Sequence, residues 1–401
     1  RVLVLRAKPA PAAQLLPSAH AIEREYRILR ALQGTGVPVP HVRALCEDES
    51  VMGVAFYVMD FVQGCIFRDA TLPEVPPPER AAYFKAANEV LARLHRVDWR
   101  ALGLQDFGRH DGYYSRLIRR WTKQYEASRP APVAAMEQLA LWLPQHIPAG
   151  ADSADLTCIT HGDYRIENLM FHPTRPEVVA VLDWELATLG HPLSDLSYSA
   201  LAWRMPSGIL RGYGDQDLTA LGIPPEMAHV ALYCERMHMD LSSVCADWPF
   251  YLAFNLFRLS AILFGIGQRE RDGVASNTTA REIAAMAGPV LDALMARVLA
   301  DALAADRRVR ASLFSRLSGE QLDRIGEVTR DVATLHTSAG DDTGDADGGH
   351  CENDSSADRC AGLPGIRLGR LNIHRPPKVS RRARGADQHR RRLRAAHYAA
   401  G

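Results

Sequence analysis

Apolar and polar positions along the first sixty residues predict a small β-rich lobe. Residues 1–6 are dominated by branched apolar side chains, as in a strand. Ser18 precedes a run with helical spacing and is expected to cap its start. Residues 51–62 supply two more strand-like runs around Gly53. The helical run has its apolar positions at Ala21, Ile22, Tyr26, Leu29 and Leu32.

The pattern then becomes helical and predicts a larger second lobe. A Pro-rich stretch at 73–80 leads into a helical pattern that ends near His95. The most apolar window, 250–267, is interrupted by Asn255 and Arg258 and is short for a bilayer span, so a buried helix is expected. The overall order predicts an α+β fold of two lobes joined by a hinge. Further helical patterns cover residues 113–128, 134–143, 225–244, 250–266 and 278–305.

Residues 160–184 carry the candidate chemistry. His161-Gly162-Asp163 is followed by Asn168, and Asp163 and Asn168 have the spacing of the kinase catalytic loop H-R-D-x-x-x-x-N. Asp183 ends an apolar run, as the metal-binding Asp of kinases does. Phosphoryl transfer needs one carboxylate to accept the proton of the attacking hydroxyl, and a carboxylate and an amide oxygen to hold Mg²⁺. Asp163 suits the first role, and Asp183 with Asn168 suits the second.

The combination is more specific than its parts. His-Gly-Asp alone arises by chance in many proteins, and a β-hairpin with ordinary Asn and Asp turn residues is the structural alternative. Strand-like runs at 156–159 and 178–182 flank the loop and favour the catalytic interpretation. Arg165 lies two residues beyond Asp163, close enough to offset negative charge on a transferring phosphoryl group.

Motifs elsewhere in the chain carry a family resemblance. The chain resembles the aminoglycoside-phosphotransferase-like, or choline-kinase-like, small-molecule kinases, and is most similar to the branch associated with acyl-CoA dehydrogenases. The resemblance fades near residue 300. It implies a protein kinase-like two-lobe fold, with a small β-rich N-lobe and a larger, mainly helical C-lobe, and ATP and Mg²⁺ as cofactors. The motifs are residues 5–9, 15–20, 24–26, 57–64, 161–168, 182–185, 190–192 and 251–267.

The resemblance also implies a domain organisation. Residues 1–62 are expected to form a partial N-lobe with the hinge at its end, and residues 63–305 the helical C-lobe with the catalytic loop. Residues 306–335 are expected to be a helical extension. Residues 336–401 are acidic and Gly/Ser-rich, then Arg-rich, and are expected to be a disordered tail. A basic arm for nucleic acid or anionic membrane is the alternative interpretation of that tail.

The nucleotide side of the site follows from the resemblance. Its kinases hold the α/β-phosphates with a strand cation locked by a helix Glu, and Arg6 and Glu25 match these positions. Lys8 would lie on the same strand face, so spacing does not separate it from Arg6; motif context favours Arg6. A solvated ion pair of Arg6 with Glu25 is the alternative interpretation.

The hinge is expected within residues 57–64. Met59, with its two preceding residues, would line the adenine pocket, and the C=O of Asp60 and the N–H of Val62 would pair with the adenine edge. The chain starts at what corresponds to the third strand of the family fold, so the sequence as given, and its N-lobe, are expected to be truncated. A non-catalytic, pseudokinase-like or truncated remnant acting as a binding module is therefore the alternative to an active kinase.

The composition of the chain bears on which partners and which cellular location are expected. Lys+Arg and Asp+Glu both number 47, so the formal net charge is zero and gives no argument for nucleic acid or membrane binding. The seven cysteines form no Cys-x-x-Cys pair, which favours reduced thiols and a cytoplasmic location.

The expected activity is ATP/Mg²⁺-dependent phosphorylation of a hydroxyl on a small molecule. A polycationic aminoglycoside favours a strongly acidic site, which no segment supplies. A hydroxylated acyl metabolite, with a functional link to an acyl-CoA dehydrogenase, is the preferred substrate class.

Overall fold

The computed structural model describes residues 2–8, 21–207 and 212–272, all within one compact unit. The helix predicted over 278–305 and the segments 306–335 and 336–401 lie outside the described residues. The described residues form the expected α+β fold of two lobes.

The N-lobe is a three-stranded antiparallel sheet covered by one helix. The strand order is β1-β3-β2, so β3 is central. In register, Arg6 lies opposite Tyr57, and Val4 lies opposite Met59, on the sheet face towards the helix. The elements are β1 (Leu3–Ala7), α1 (Ile22–Leu32), β2 (Val42–Cys46) and β3 (Phe56–Asp60).

Two predictions for this lobe are wrong in detail. Helix α1 begins at Ile22, and its N-cap position is held by Ala21 without a side-chain cap and not by the predicted Ser18, which lies outside the described residues. Residues 51–62 contain one strand, not two, because residues around Gly53 form the turn that joins it to β2. Gly53 has φ +82°, which suits that turn.

The C-lobe is mainly helical, with two small antiparallel sheets around the catalytic loop. Strands β4, β6 and β7 form one sheet, and β5 pairs with β8 in the other. The strands are β4 (Cys65–Ile66), β5 (Cys158–Thr160), β6 (Leu169–Phe171), β7 (Val178–Val181) and β8 (Thr188–Gly190). The helices are α2 (Pro77–His95), α3 (Tyr113–Ser128), α4 (Ala134–Trp142), α5 (Pro192–Ala200), α6 (Leu218–Leu221), α7 (Glu226–Met237) and α8 (Leu241–Arg271).

The long helix α8 differs from the two helices predicted there. The chain breaks earlier than expected, at His238, which is left-handed with φ +54°, and Asp240 caps α8 by accepting from Ser243 N at 2.8 Å. Pro249 is inside the helix and does not end it. Helix α8 is long and apolar enough to cross a membrane, but 78% of its most apolar window is buried in the protein. It is the buried core helix that the sequence predicts.

Candidate active site

The catalytic loop starts where β5 ends, and its glycine is required by geometry. Gly162 has φ +85°, a conformation that side chains disfavour. A Cβ at this position would lie 2.7 Å from Leu186 O, closer than real Cβ contacts. The chain therefore turns sharply between His161 and Asp163, and this turn brings the Asp163 side chain into the cleft.

Asp163 is held by the residues that the sequence groups with it. Asn168 Nδ2 donates to Asp163 Oδ2 at 2.8 Å and to its main-chain oxygen at 2.9 Å. Arg165 Nε donates to the same Oδ2 at 3.2 Å. Burial lowers the pKa of Arg165, but the charge of Asp163 together with Tyr198 and Glu167 outweighs it and the pKa is raised, so the guanidinium stays charged. The three residues thus form one fixed group, as a general base and its neighbours would.

Tyr198 is a further neighbour of Asp163. Its side chain hydrogen-bonds to the Asp163 carboxylate, and burial together with the Asp163 charge raises the pKa of Tyr198. The phenol is therefore neutral and donates its proton to the carboxylate at neutral pH. Nothing in the sequence around Tyr198 signals this contact.

The buried carboxylate of Asp195 holds the main chain of the loop by hydrogen bonds. It accepts from His161 N at 2.6 Å and from Gly162 N at 2.9 Å, and His95 Nε2 lies 3.3 Å from its Oδ2. Burial would raise the pKa of Asp195, but bonds from His95 and the loop amide outweigh it and lower the pKa. Helix α5 has His191 as its N-cap, and Asp195 lies inside the helix.

His161 and Arg258 complete the support of the loop. His161 Nε2 bonds to Leu182 O at 2.8 Å and its Nδ1 accepts from Asp163 N at 3.2 Å, so both ring nitrogens tie the loop together. His161 therefore has a structural role in the loop. Arg258 Nη2 donates to Gly162 O at 2.5 Å from helix α8. Arg258 is visible in the sequence only as a charge inside an apolar run.

Asp183 and Asn168 offer a metal ion a carboxylate and an amide oxygen. Asp183 is left-handed, with φ +64°, and its side chain is 40% exposed. Because Asn168 uses its amide nitrogen on Asp163, its oxygen remains for a cation. Among the described residues no group of three or more His, Cys, Asp or Glu is arranged to hold a metal. Such a small donor set suits Mg²⁺, which usually binds one or two carboxylates plus substrate phosphates.

Arg6 joins this group from the N-lobe. Its Nε lies 3.2 Å from Glu25 Oε2 and its Nη2 lies 3.5 Å from Asp183 Oδ1. Burial would lower the pKa of Arg6, but the charges of Glu25 and Asp183 outweigh it and raise the pKa. Lys8 instead pairs with Glu23. The structure thus distinguishes Arg6 from Lys8, which the spacing in the sequence does not. Arg6 therefore faces the cleft with a fixed fork of donors.

The predicted hinge residues lie at the end of β3. Asp60 N donates to His41 O at 2.9 Å, and the Asp60 carboxylate is held by Arg43. Val62 follows in the segment without regular structure, and its N–H has no hydrogen-bond partner in the part of the chain that the structure describes. Met59 is partly buried and packs against the core. Their roles towards adenine stay predictions.

A cavity of about 420 Å³ opens beside Arg165 and Tyr198. Its walls come from the catalytic loop, α2, the end of α5, α7 and α8, and most of its lining side chains are apolar or aromatic. The lining residues include Phe84, Glu167, Trp203, Met205, Tyr213 and His229. Because Tyr198 also contacts Asp163, the cavity lies next to the group with the geometry of a general base.

Comparison with known proteins agrees with this geometry. The sequence model of the phosphotransferase enzyme family matches residues 1–232. A crystal structure of a Ralstonia eutropha protein, whose name places it among the aminoglycoside phosphotransferases, is 47% identical, with a TM-score of 0.66 over 74% of this chain and 85% of that one.

Curated relatives are longer proteins. Mouse acyl-CoA dehydrogenase family member 10 is 48% identical over 70% of this chain, which spans 26% of that relative. Chicken acyl-CoA dehydrogenase family member 11 is 41% identical over 72% of this chain, which spans 37% of that relative. The chain belongs to the phosphotransferase enzyme family and has the kinase-like fold of a small-molecule kinase.

Proposed function

We propose that this phosphotransferase-family chain transfers the γ-phosphoryl group of ATP to a hydroxyl of a small molecule, with Asp163 as general base. The hydroxyl oxygen forms a bond to Pγ while the bond from Pγ to the β–γ bridging oxygen breaks. The hydroxyl proton passes to the Asp163 carboxylate and ADP leaves. The observation that carries the proposal is the fixed group of Asp163, Arg165 and Asn168.

The other charged side chains suit the nucleotide. Arg6, locked by Glu25, would bind phosphate oxygens, and Arg165 would offset charge on the transferring group. Asp183 and the amide oxygen of Asn168 would hold Mg²⁺, which when bound neutralises phosphate charge. The N–H of Val62 and the C=O of Asp60 would pair with adenine, with Met59 in the pocket wall.

The cavity supports an acceptor with an apolar body. Phe84, Trp203 and Tyr213 line it, and its charged groups, Arg165 and Glu167, both belong to the catalytic loop. A polycation would need several converging carboxylates, which this lining does not offer. At about 420 Å³ the cavity is in the size range of small-molecule sites. A medium-chain hydroxyacyl compound fits these properties.

The names of the curated relatives favour the same class. They are called acyl-CoA dehydrogenase family members, and this chain corresponds to only part of each. We infer a functional link in which the chain phosphorylates a hydroxylated acyl species related to the substrates of such dehydrogenases. The proposal extends the family membership to a substrate class.

A coupled ADP-release screen with the full chain tests the proposal. Hydroxyacyl thioesters, kanamycin-like aminoglycosides and plain alcohols serve as acceptors with Mg·ATP. We expect turnover on the hydroxyacyl compounds. Turnover on aminoglycosides alone would overturn the substrate class, and absence of both Mg·ATP binding and turnover would favour a non-catalytic binding module.

A further inference from the structure

One wall of the cavity carries a histidine that the proposed phosphoryl transfer does not use. His229 lies on α7, is 6% exposed, and packs on Trp203 with ring centroids 5.1 Å apart. Its main-chain oxygen accepts from Asn88 Nδ2 of α2 at 2.9 Å, in a buried bond between the two helices. The imidazole therefore has a fixed place in the wall.

The ring nitrogens of His229 are available to a ligand. Neither nitrogen hydrogen-bonds to another group within residues 2–8, 21–207 and 212–272. Neither is fully enclosed by protein atoms while lacking a partner. His229 is one of the residues that line the cavity. Burial, together with the Arg236 charge, lowers the pKa of His229 to about 4. At neutral pH the ring is uncharged and offers one donor and one acceptor.

The surroundings of His229 define the group it can bind. Trp203, Met205 and Tyr213 are buried and present mainly apolar surface. A charged ligand group beside the neutral imidazole would lose its hydration among these apolar side chains, at a large desolvation cost. An uncharged polar group buried there without a hydrogen bond would also be penalised. The N–H of the neutral imidazole can donate a hydrogen bond to the carbonyl oxygen of a ligand.

We propose that His229 is a specificity-determining residue of the acceptor site and donates a hydrogen bond to an acyl carbonyl on the apolar body of the acceptor. The inference rests on the proposed function, because it requires the acceptor to enter this cavity. A site built to hydrogen-bond a substrate group discriminates against an analogue that lacks the group. The acceptor class is thereby narrowed from alcohols in general to hydroxylated acyl compounds.

A pair of acceptors that differ only in the carbonyl tests the proposal. One is S-(hydroxydecanoyl)-N-acetylcysteamine, and the other is the S-(hydroxydecyl) thioether, with the hydroxyl placed at each chain carbon in turn. Full-length wild type is compared with His229→Leu, which removes the donor, and His229→Asn, which retains one. His146→Leu is the matched control, because His146 also stacks on a tryptophan, Trp142, but is not part of the cavity lining.

The ratio of kcat/KM for thioester over thioether is the readout. We expect wild type and His146→Leu to prefer the thioester by about tenfold to a hundredfold, as loss of one buried hydrogen bond implies. His229→Leu should lose the preference while keeping thioether turnover and Mg·ATP affinity, and His229→Asn should recover part of it. This pattern separates substrate recognition from a loss of folding.

Other outcomes overturn the proposal. No carbonyl preference in wild type, or an intact preference in His229→Leu, would exclude the hydrogen bond. If wild type neither phosphorylates the thioesters nor binds them, measured by quenching of tryptophan fluorescence, the acyl acceptor and the role of His229 both fail. Mg·ATP binding in that case would leave the kinase assignment standing.

Discussion

Arg24 is expected to anchor helix α1 to the segment that follows Asp183. Its guanidinium donates to Ala187 O at 3.2 Å and to Phe107 O, and lies 3.8 Å from the centre of the Phe107 ring. Glu25, the next residue on α1, pairs with Arg6. Losing the anchor should therefore loosen the pair of Arg6 and Glu25, which we propose binds the nucleotide phosphates. Arg24→Met keeps much of the apolar stem and removes both hydrogen bonds.

The structure allows the size of this effect to be worked out. A hydrogen bond from a charged donor contributes about 1.5–3 kcal/mol. Because Arg24 is only half-buried, we assign about 2 kcal/mol to the two bonds together. If Mg·nucleotide binds only the anchored arrangement, its affinity falls by up to the same free energy, which is at most about thirtyfold.

Calorimetry with Mg·AMP-PNP measures this change, and Arg27→Met is the matched control. Arg27 lies one turn further along α1 and bonds to Asp106 and to Gly103 O at 2.9 Å, with no bond to Ala187 among the described residues. We expect Arg27→Met to bind nucleotide like wild type. Equal affinities for wild type and Arg24→Met, or equal losses in both variants, would refute the anchor.

Two further predictions concern the pH dependence of stability and the glycine of the catalytic loop. Burial, together with electrostatic interaction with His95 for His191 and with Arg236 for His229, lowers the pKa of His191 to about 3 and of His229 to about 4. The unfolded chain takes up a proton on each ring below about pH 6.5, and the folded chain does not. The free energy of unfolding therefore decreases by about 1.4 kcal/mol per histidine for each unit by which the pH is lowered. Urea unfolding at pH 7.5 and pH 5 should differ by about 4 kcal/mol, and equal stabilities would contradict the neutral, buried state of both rings. Gly162→Ala should lower turnover at least about a hundredfold, because its Cβ would collide with Leu186 O, whereas Gly34→Ala, with φ +80° and nothing within 4 Å, should cost only about 1–2 kcal/mol of stability. Similar turnover in the two variants would refute the steric argument for Gly162.

The sequence predicts that the polar residues of this loop lie together, because they are close in the chain. Asp163, Arg165 and Asn168 lie within six residues, and the structure brings them into hydrogen-bond contact. The pairing of Arg6 with Glu25 is predictable through the family resemblance, since nineteen residues separate them in the chain. Helix boundaries inside apolar stretches are less predictable, because the capping of α8 by Asp240 outweighs the expected break near Pro249.

Contacts made between distant segments are not visible in the sequence. Tyr198 and Arg258 reach the catalytic loop from α5 and α8, and only the folded packing decides which face of each helix they occupy. The sequence likewise does not show that His229 lies beside a cavity, because the cavity forms only where α2, α7 and the end of α5 pack together. A charge inside an apolar run, as for Arg258, is the one signal that a buried polar contact exists.

The most direct test of the central claim is a comparison of wild type with Asp163→Asn in two measurements on the same samples. Calorimetry gives the affinity for Mg·ATP, and transfer of the labelled γ-phosphoryl group to the hydroxydecanoyl thioester gives turnover. We predict an affinity within about twofold of wild type and a loss of turnover of at least about a thousandfold, because the carboxylate acts on the acceptor hydroxyl. Undiminished transfer, or a loss of binding as large as the loss of turnover, would contradict the assignment of Asp163 as the general base.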